Sequence, residues 1–365
     1  MDAGERISVR PNHPTIVMVA MTSVRLFTAL LLSILAGMQR YEIADFGGPE
    51  VLRLAEAPLP SVGTGQVRVK VRFAGLNFAD LMQRRGVFPG LGDLPFTPGM
   101  EVVGTVDAVG AGVANLQEGD RVVGRLELGG YAEYAVAEAA EVRPVAEGVG
   151  DPETLALVGT SGLTAYAQTT VLGEPDGRAV FLSAAAGGVG SILTQLLKAQ
   201  GWRVLAGVSS ESKAQSVIAL GADHAVRYDR EGWENELVEL AGPRGLAGAF
   251  DSVGGAMYRG AFAALGDHGQ MIVFGAASGE LVGLPPELVF PAVIRGQAVR
   301  GNGLVAFLAQ DPNALRDATA AMFSAHRQGA IPTLGLQVYD FEDAPRAHAD
   351  VEARATMGKV VFKVG

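Results

Sequence analysis

The stretch Ser183-Ala184-Ala185-Ala186-Gly187-Gly188-Val189-Gly190 decides the fold of this chain. It follows a short apolar run and precedes a run whose apolar residues have helical spacing. Aligned with the pattern G-x-G-x-x-G, it carries Ala185, Gly187 and Gly190 at the three glycine positions. These positions serve a tight turn, close approach of a pyrophosphate to the backbone, and close packing of the helix on the sheet. The strand–turn–helix context therefore predicts a dinucleotide site at the helix N-terminus, in preference to a plain glycine-rich turn. The backbone assigned to this contact is that of Ala186, Gly187, Gly188, Val189 and Gly190.

The end of the next predicted strand, 202–208, indicates which dinucleotide binds. An NAD site carries Asp or Glu there, about 20 residues past the glycines, to hold the ribose 2′-hydroxyl. This chain has Ser209 and Ser210 instead, followed by Lys213. Neutral donors beside a cation suit a 2′-phosphate, and we therefore predict NADP. Glu211 leaves a contact with the ribose open, and a solvated lysine at a helix start is the alternative interpretation of Lys213.

Composition is typical of a soluble enzyme with two domains. The chain has 365 residues, of which 48% are hydrophobic. Its net charge of −10 argues against a nucleic-acid partner, because no basic patch offsets the phosphate charge. The sequence contains 0 cysteines, which excludes disulfides, thiolate chemistry and cysteine-bound metal.

The first 37 residues do not resemble the rest of the chain. Their longest charge-free run, residues 26–37, is shorter than the roughly 20 residues that span a bilayer. Three interpretations remain: a mis-assigned start upstream of Met38, which we favour, a secretion signal, or a membrane anchor. We expect residues 1–37 to be a dispensable extension and the protein to be cytoplasmic, with no membrane partner.

The remaining sequence changes texture near residue 159. Before it, runs such as 66–73 alternate apolar and charged residues, as half-buried strands do. After it, strands alternate with helical runs, which predicts a doubly wound parallel α/β sheet. The predicted strands of that sheet are 179–183, 203–208, 225–228, 248–251, 271–274 and 297–300.

From Met38 onward the chain resembles the medium-chain dehydrogenase/reductase superfamily, in the zinc-free quinone oxidoreductase branch of zeta-crystallin-like and VAT-1-like proteins. The segments that carry the resemblance are 75–80, 97–104, 118–122, 183–190, 251–255 and 354–359. The resemblance implies an α/β fold: a Rossmann doubly wound parallel sheet plus a GroES-like β-rich catalytic domain. The implied bounds are 38–158 for the GroES-like domain, completed by 303–365, and 159–302 for the NADP-binding domain.

The residues do not support a metal site. Zinc members of the superfamily carry a Cys and a His as ligands at places where this chain has Asn77 and Met100. The 5 histidines show no ligand spacing, and each is expected on the surface or at a helix cap. We therefore predict no bound metal.

The resemblance extends to the cofactor contacts. Lys213, Tyr228 and Arg354 match positions that bind the 2′-phosphate in this branch, and two cations with a phenol suit that role. Thr164 matches a nicotinamide contact, and Phe274 belongs to the loop over the cofactor. We assign Ser209 to the same site.

The predicted chemistry is hydride donation to an acceptor that is already electron-poor, because no metal is available as a Lewis acid. By resemblance, Asn77 and Asp80 lie near the nicotinamide, although Asn77 could be a turn residue and Asp80 a helix cap. Close relatives carry a Tyr in the place of Phe88, which has no hydroxyl, so the proton would come from solvent.

Three functions are considered. The favoured one is an NADPH-dependent quinone oxidoreductase. The second is a 2-alkenal or enoyl reductase that acts on α,β-unsaturated carbonyls, and the third is a non-enzymatic NADPH-binding protein. In each case we expect a homodimer, because strand 297–300 matches the sheet edge through which relatives pair.

Overall fold

Two large β-sheets, one parallel and one mainly antiparallel, organise the chain in the computed structural model, which describes residues 37–89, 93–280 and 283–365. The extension predicted over residues 1–37 lies outside the described residues except for Gly37, which begins a strand. Within the described ranges, no helix combines the length and the apolar character needed to cross a membrane.

The parallel sheet has six strands in the order β10-β9-β8-β11-β12-β13. The strands are β8 (Ala179–Leu182), β9 (Arg203–Val208), β10 (His224–Arg227), β11 (Leu246–Asp251), β12 (Leu265–Val273) and β13 (Ala298–Gly301). The helices that connect them are Gly188–Ala199, Glu211–Ala219, Trp233–Ala241, Gly255–Ala263 and Pro286–Arg295. Strand order reverses beside β8, and this confirms the predicted doubly wound sheet. Every residue of β8 is buried, as is usual where helices cover both faces.

Five of these strands lie within two residues of their predicted bounds, and β12 does not. It begins at Leu265, whereas the sequence predicted a strand over 271–274. Asp267 and His268 interrupt the apolar pattern, and His268 has a positive φ of 57°. The early part of β12 is therefore irregular, and its polar residues hide it from a search for alternating or continuous apolar residues.

The other sheet, called the antiparallel sheet because every pair in it except β14–β15 is antiparallel, has seven strands in the order β14-β15-β3-β4-β5-β7, with β6 also paired to β3. They are β3 (Gln66–Leu76), β4 (Glu101–Val109), β5 (Arg121–Arg125), β6 (Tyr134–Glu138), β7 (Val142–Pro144), β14 (Leu336–Asp340) and β15 (Lys359–Lys363). A separate two-stranded sheet joins β1 (Gly37–Ile43) to β2 (Leu52–Pro58). The C-terminal strands thus return to the sheet of the N-terminal half. The domain bounds given above remain predictions.

One core joins the two sheets. Its buried residues include Val103 and Val361 from the antiparallel sheet and Val180 and Leu182 from the parallel sheet. Helix Asp151–Val158 contributes Leu155 to the same core. The other helices are Phe78–Arg84, Thr160–Thr169, Leu304–Leu308, Ala314–Arg327 and Ala344–Glu352, with 3-10 turns at Pro49–Val51, Ala139–Glu141 and Phe341–Asp343. This shared core fixes the position of the two sheets relative to each other.

Strand β13 forms an exposed edge of the parallel sheet. All four of its residues are exposed. The preceding helix, Pro286–Arg295, exposes Phe290 (72%) and Ile294 (71%) beside it. A bare strand edge next to apolar side chains is a surface that monomeric proteins normally avoid.

Candidate active site

A cavity of about 490 Å³ lies between the carboxyl ends of the parallel strands and the end of β3. Residues that follow β8, β9, β10, β11 and β12 line one wall, which is where open α/β sheets bind their ligands. Leu76 and Asn77 from the end of β3 line the opposite wall, together with Phe78, Met82 and Phe88. Of the fourteen site residues predicted from the sequence, all but Asp80 and Ser209 line this cavity.

The glycine-rich turn has the geometry that the sequence predicted. The helix begins at Gly188, with Gly187 as its N-cap residue. A Cβ on Gly190 would lie 2.6 Å from the main-chain oxygen of Ala184, so only glycine lets the helix pack this closely on the turn. A Cβ on Gly188 would lie 2.8 Å from Ser161 Oγ. Both glycines line the cavity, and the helix N-terminus beside them carries a partial positive charge suited to phosphate.

Asp251, the last residue of β11, braces the neighbouring loop. Its Oδ1 accepts hydrogen bonds from Ser183 Oγ at 2.8 Å and from the main-chain N–H of Val253 at 2.9 Å. Its Oδ2 accepts from the N–H of Gly254 at 3.0 Å. These bonds tie two adjacent strand ends together and hold Val253 and Ser252 against the cavity.

Two cations meet at the far end of the parallel-sheet wall. Lys213, Tyr228 and Arg354 all line the cavity. Partial burial and the charge of Arg354 lower the pKa of the Lys213 ammonium. Two like charges held together gain from an anion placed between them, and a phosphate satisfies both cations.

The structure also shows where Ser209, Ser210 and Glu211 lie after β9. Ser210 caps the following helix, where its Oγ accepts from the N–H of Lys213 at 3.3 Å. Glu211 turns away to the exposed surface, where its Oε2 pairs with Arg227 at 2.8 Å. Ser209 does not line the cavity, and its assignment as a cofactor contact gains no support from this geometry. In this arrangement the Glu211 side chain points away from the cavity and does not reach a ribose bound there.

A buried ion pair stands behind the antiparallel-sheet wall. Lys359 (1% exposed) pairs with the carboxylate of Glu101 (0% exposed). The same ammonium donates to Asn77 Oδ1 at 2.8 Å and to the main-chain oxygen of Leu76 at 2.9 Å. Glu101 also accepts from the main-chain N–H of Thr160, at the start of the helix that carries Thr164 to the cavity. The pair thus connects both sides of the cavity to Asn77.

Comparisons with known proteins agree with this geometry. Residues 63–147 match the family described as the alcohol dehydrogenase GroES-like domain, and residues 188–321 match the family described as zinc-binding dehydrogenase. The chain is 32% identical to quinone oxidoreductase 1 of Escherichia coli, over 87% of this chain and 97% of that protein. The chain belongs to the medium-chain dehydrogenase/reductase superfamily, in its quinone oxidoreductase branch.

Two solved structures of this superfamily carry the same fold. A mycobacterial protein complexed with NADPH superimposes with a TM-score of 0.82 at 34% identity, covering 90% of this chain and 100% of that one. An Escherichia coli quinone oxidoreductase complexed with NADPH also has a TM-score of 0.82, at 30% identity, covering 89% of this chain and 100% of that one.

In this medium-chain reductase, Asp80 lies behind the cavity wall rather than on it. Its side chain is 0% exposed, and its Oδ2 accepts from the main-chain N–H of Asn77 at 2.8 Å. The sequence left two interpretations of Asp80 open, a place near the nicotinamide and a helix cap, and its contacts are those of a cap, because the carboxylate holds the first turn of helix Phe78–Arg84. Asp80 is therefore a positioning residue for the backbone at Asn77.

His348 corrects a second expectation. The sequence predicted histidines on the surface or at helix caps, whereas His348 is 0% exposed. Arg84 donates to its Nδ1 at 3.2 Å, and because a guanidinium only donates, the proton lies on Nε2. Nε2 lies 3.2 Å from the Tyr131 hydroxyl, which donates to Asp80 Oδ2 at 3.2 Å. Burial, followed by the charge of Arg84, lowers the pKa of His348 to about 3, so the ring is neutral.

Burial has the opposite effect on Asp80. Loss of water raises the pKa of its carboxyl to about 7, against the stabilising hydrogen bond from the Asn77 backbone. The charge of Glu101 raises it further, and Lys359 and Tyr131 lower it. The network therefore contains a carboxyl that titrates near neutrality beside a histidine that does not.

Among the described residues, no group of three His, Cys, Asp or Glu side chains is arranged to hold a metal ion. In zinc-dependent members of the superfamily, two of the zinc ligands stand where this chain has Asn77 and Met100. Asn77 accepts a hydrogen bond from Lys359, and Met100 directly precedes β4. An amide whose oxygen accepts from an ammonium is poorly suited to bind a cation as well.

Sequence reasoning missed Lys359 and Glu101 as parts of the site. Lys359 begins an apolar strand, where an isolated lysine is normally solvated. Two glycines distant in sequence make room for the Glu101 carboxylate, since a Cβ on either Gly75 or Gly159 would collide with it. Such signals are readable only after the strands have been placed side by side.

Proposed function

We propose that this chain is an NADPH-dependent quinone oxidoreductase that works without a metal ion. The observation that carries the proposal is one cavity with a cationic end, built by Lys213 and Arg354, and an apolar wall that contains the amide of Asn77. When bound, NADPH supplies a hydride from its nicotinamide. One proton from solvent completes the conversion of a quinone to a hydroquinone, so that NADPH, a proton and quinone yield NADP⁺ and hydroquinone.

The chain's own residues suit this cofactor. The turn at Gly187 and Gly188 would offer main-chain N–H groups to the pyrophosphate, and Lys213, Tyr228 and Arg354, which line the same cavity, would hold the 2′-phosphate. Thr164, on helix Thr160–Thr169, and Phe274, after β12, are the remaining proposed contacts, near the nicotinamide. The NADPH complexes of structural relatives support the same choice.

The opposite wall suits a flat apolar acceptor. The wall is lined with hydrocarbon and aromatic surface from Leu76, Phe78, Met82 and Phe88. Moving a flat quinone ring from water onto such a surface is favourable. None of these four side chains carries a hydroxyl. Reduced quinone oxygens take protons directly from water, whereas an enone must also gain a proton on carbon. This difference favours a quinone over an alkenal as the acceptor.

We further propose that the functional unit is a homodimer joined along β13. The four exposed residues of this edge strand can extend the parallel sheet across a two-fold axis. The exposed apolar residues of helix Pro286–Arg295 would be covered in the same contact.

A substrate panel tests the proposed function. NADPH oxidation is followed with 1,4-naphthoquinone, menadione and 1,4-benzoquinone, and in parallel with 2-alkenals and enoyl thioesters. We expect the highest kcat/KM on the quinones. Higher kcat/KM on an alkenal or enoyl substrate would replace this proposal with enone reduction, and tight NADPH binding without turnover on any of them would refute both.

A further inference from the structure

The side-chain amide of Asn77 is held in one orientation by the protein. An ammonium group has only donors, so the Asn77 atom that lies 2.8 Å from Lys359 Nζ must be the oxygen. The amide nitrogen is therefore on the other side, where it has no hydrogen-bond partner among the described residues. Asn77 is 8% exposed and lines the cavity. The amide N–H groups of this side chain are thus donors without an acceptor among the described residues.

Lys359 is itself held in place. Its Nζ pairs with Glu101 and donates to the main-chain oxygen of Leu76, so all three of its protons have acceptors. Burial acts to raise the pKa of Glu101, but the ammonium of Lys359 and the N–H of Thr160 outweigh burial and lower it. The ionised form of Glu101 is therefore favoured beside Lys359.

The charge of Lys359 also reaches the cavity through Asn77. A cation that donates to an amide oxygen polarises the amide and makes its N–H groups stronger donors. In a site of low dielectric this effect is larger than in water. The arrangement places a polarised neutral donor, rather than a bare cation, on the wall that faces the acceptor.

From these contacts we infer that Lys359 is a positioning residue that fixes Asn77 as a hydrogen-bond donor to the carbonyl oxygen of the acceptor. The inference rests on the proposed function, because the oxygen of a quinone gains negative charge as the ring accepts a hydride. A donor aimed at that oxygen stabilises the transition state more than the ground state. It supplies in part what a Lewis acid would supply in a metal-dependent relative.

Two variants distinguish hydrogen-bond donation by Asn77 from a purely structural role of these residues. Asn77→Asp keeps an oxygen for Lys359 but replaces the donor with an acceptor. The double variant Glu101→Gln/Lys359→Met removes both buried charges together, because removing one alone would leave the other unpaired. We expect each to lower kcat with a quinone by about 100-fold, the scale seen when a single oxyanion donor is removed. The dissociation constant of NADPH should change by less than about 3-fold, since the cationic end of the cavity is untouched.

Coupling between the two changes is the decisive measurement. The triple variant combines Asn77→Asp with Glu101→Gln/Lys359→Met. If Lys359 acts through Asn77, its kcat should equal that of Asn77→Asp alone, because the second change then removes no further interaction with the acceptor. Independent losses that multiply would overturn the inference. So would a kcat of Asn77→Asp within about 3-fold of the unmodified protein, or NADPH affinity that falls as much as kcat does.

Calorimetry keeps this test separate from the proposed function. Menadione binding is measured in the presence of NADP⁺, where no turnover occurs. A dissociation constant about 5–10-fold higher in Asn77→Asp, the equivalent of one hydrogen bond, is expected even if the physiological acceptor is not a quinone. An unchanged constant would count against the inference. Lys198→Met is the matched control, since it removes a lysine and its pair with Asp223 on the surface and should alter neither quantity.

Discussion

Lys213 Nζ lies 2.6 Å from the main-chain carbonyl oxygen of Arg354. The two residues are far apart in the chain, one on the helix after β9 and the other after the last helix. Arg354 has a positive φ of 56°, which ends helix Ala344–Glu352 and directs the following segment back toward β8. There the N–H of Gly358 donates to the Ala186 oxygen at 2.8 Å. The C-terminal segment therefore builds both the cationic end of the cavity and one side of the glycine-rich turn.

Replacement of Lys213 should change cofactor preference. In Lys213→Ala we expect NADPH to bind about 10–100-fold more weakly, because one charge-assisted contact of roughly 1.5–3 kcal/mol is lost. NADH, which lacks the 2′-phosphate, should bind almost as before. Fluorescence titration of both cofactors measures the two constants, and Lys198→Ala serves as the surface control. An equal loss for NADH would contradict the assignment of Lys213.

Replacement of Gly190 should loosen the turn. A Cβ there would lie 2.6 Å from the Ala184 oxygen and the Ala185 Cα, both of them backbone atoms that cannot move aside. We expect Gly190→Ala to lower the free energy of unfolding by about 1–3 kcal/mol, as overpacking does, and to weaken NADPH binding. Urea unfolding provides the measurement. Gly173→Ala is the control, because no atom lies within 4 Å of its added Cβ; equal effects at the two sites would refute the packing argument.

Assembly should depend on the apolar surface beside β13. Light scattering should give twice the chain mass of 37.8 kDa. Ile294→Asp places a charge on the exposed surface of helix Pro286–Arg295 and should yield monomers, because burying an unpaired charge in an interface is unfavourable. Val238→Asp, on the exposed side of another helix, should remain dimeric. A monomer mass for the unmodified protein at all concentrations would rule the dimer out.

Activity should not require metal. Prolonged EDTA treatment should leave kcat unchanged, and elemental analysis should find no stoichiometric zinc, because Asn77 is engaged by Lys359. A zinc-dependent alcohol dehydrogenase treated in parallel provides the positive control. About one zinc per chain, lost together with activity, would overturn the prediction.

The buried carboxyl of Asp80 should leave a signature in the pH dependence of stability. Its pKa is raised to about 7 on folding, so between about pH 4 and 7 the folded state holds a proton that the unfolded state has lost. Asp80 alone therefore makes the free energy of unfolding fall as pH rises, by at most about 1.4 kcal/mol per pH unit. His348, with its pKa lowered to about 3, acts in the opposite direction between about pH 3 and 6.5.

These opposing slopes can be separated. In Asp80→Asn the first contribution disappears, and stability should rise more steeply between pH 4.5 and 6.5 than in the unmodified protein. Urea unfolding at several pH values measures the slope. Asp45→Asn, at an exposed position, should keep the original slope. Parallel curves for Asp80→Asn and the unmodified chain would show that Asp80 does not titrate in this window.

Much of the cofactor side could be read from the sequence because its signals are local. The apolar run before Ser183, the glycines at 187 and 190, and the helical spacing after them lie within about 20 residues of one another, the scale of one βαβ turn. The alternation of strands and helices after residue 159 then predicts the doubly wound parallel sheet. The resemblance to the family rests on segment 183–190 together with five others spread along the chain.

The antiparallel-sheet wall of the cavity was only partly predictable, because contacts between distant parts of the chain determine its geometry. Asn77 was identified from the sequence, but the orientation of its amide depends on Lys359, which is 282 positions away. Asp80 and His348 meet through Tyr131, which bonds to both, and these contacts join distant parts of the chain, so no local pattern encodes them.

The sequence by itself determined the kind of protein: an α/β fold with a dinucleotide turn, built from neighbours in the chain whose spacing and backbone requirements are short-range. Only the tertiary structure decided which polar residues share a buried site. Glu211 pairs with Arg227 at the surface, whereas Glu101 meets Lys359 where neither is exposed to water. The physical reason is that burial and charge pairing depend on distance in space, which a linear pattern does not contain.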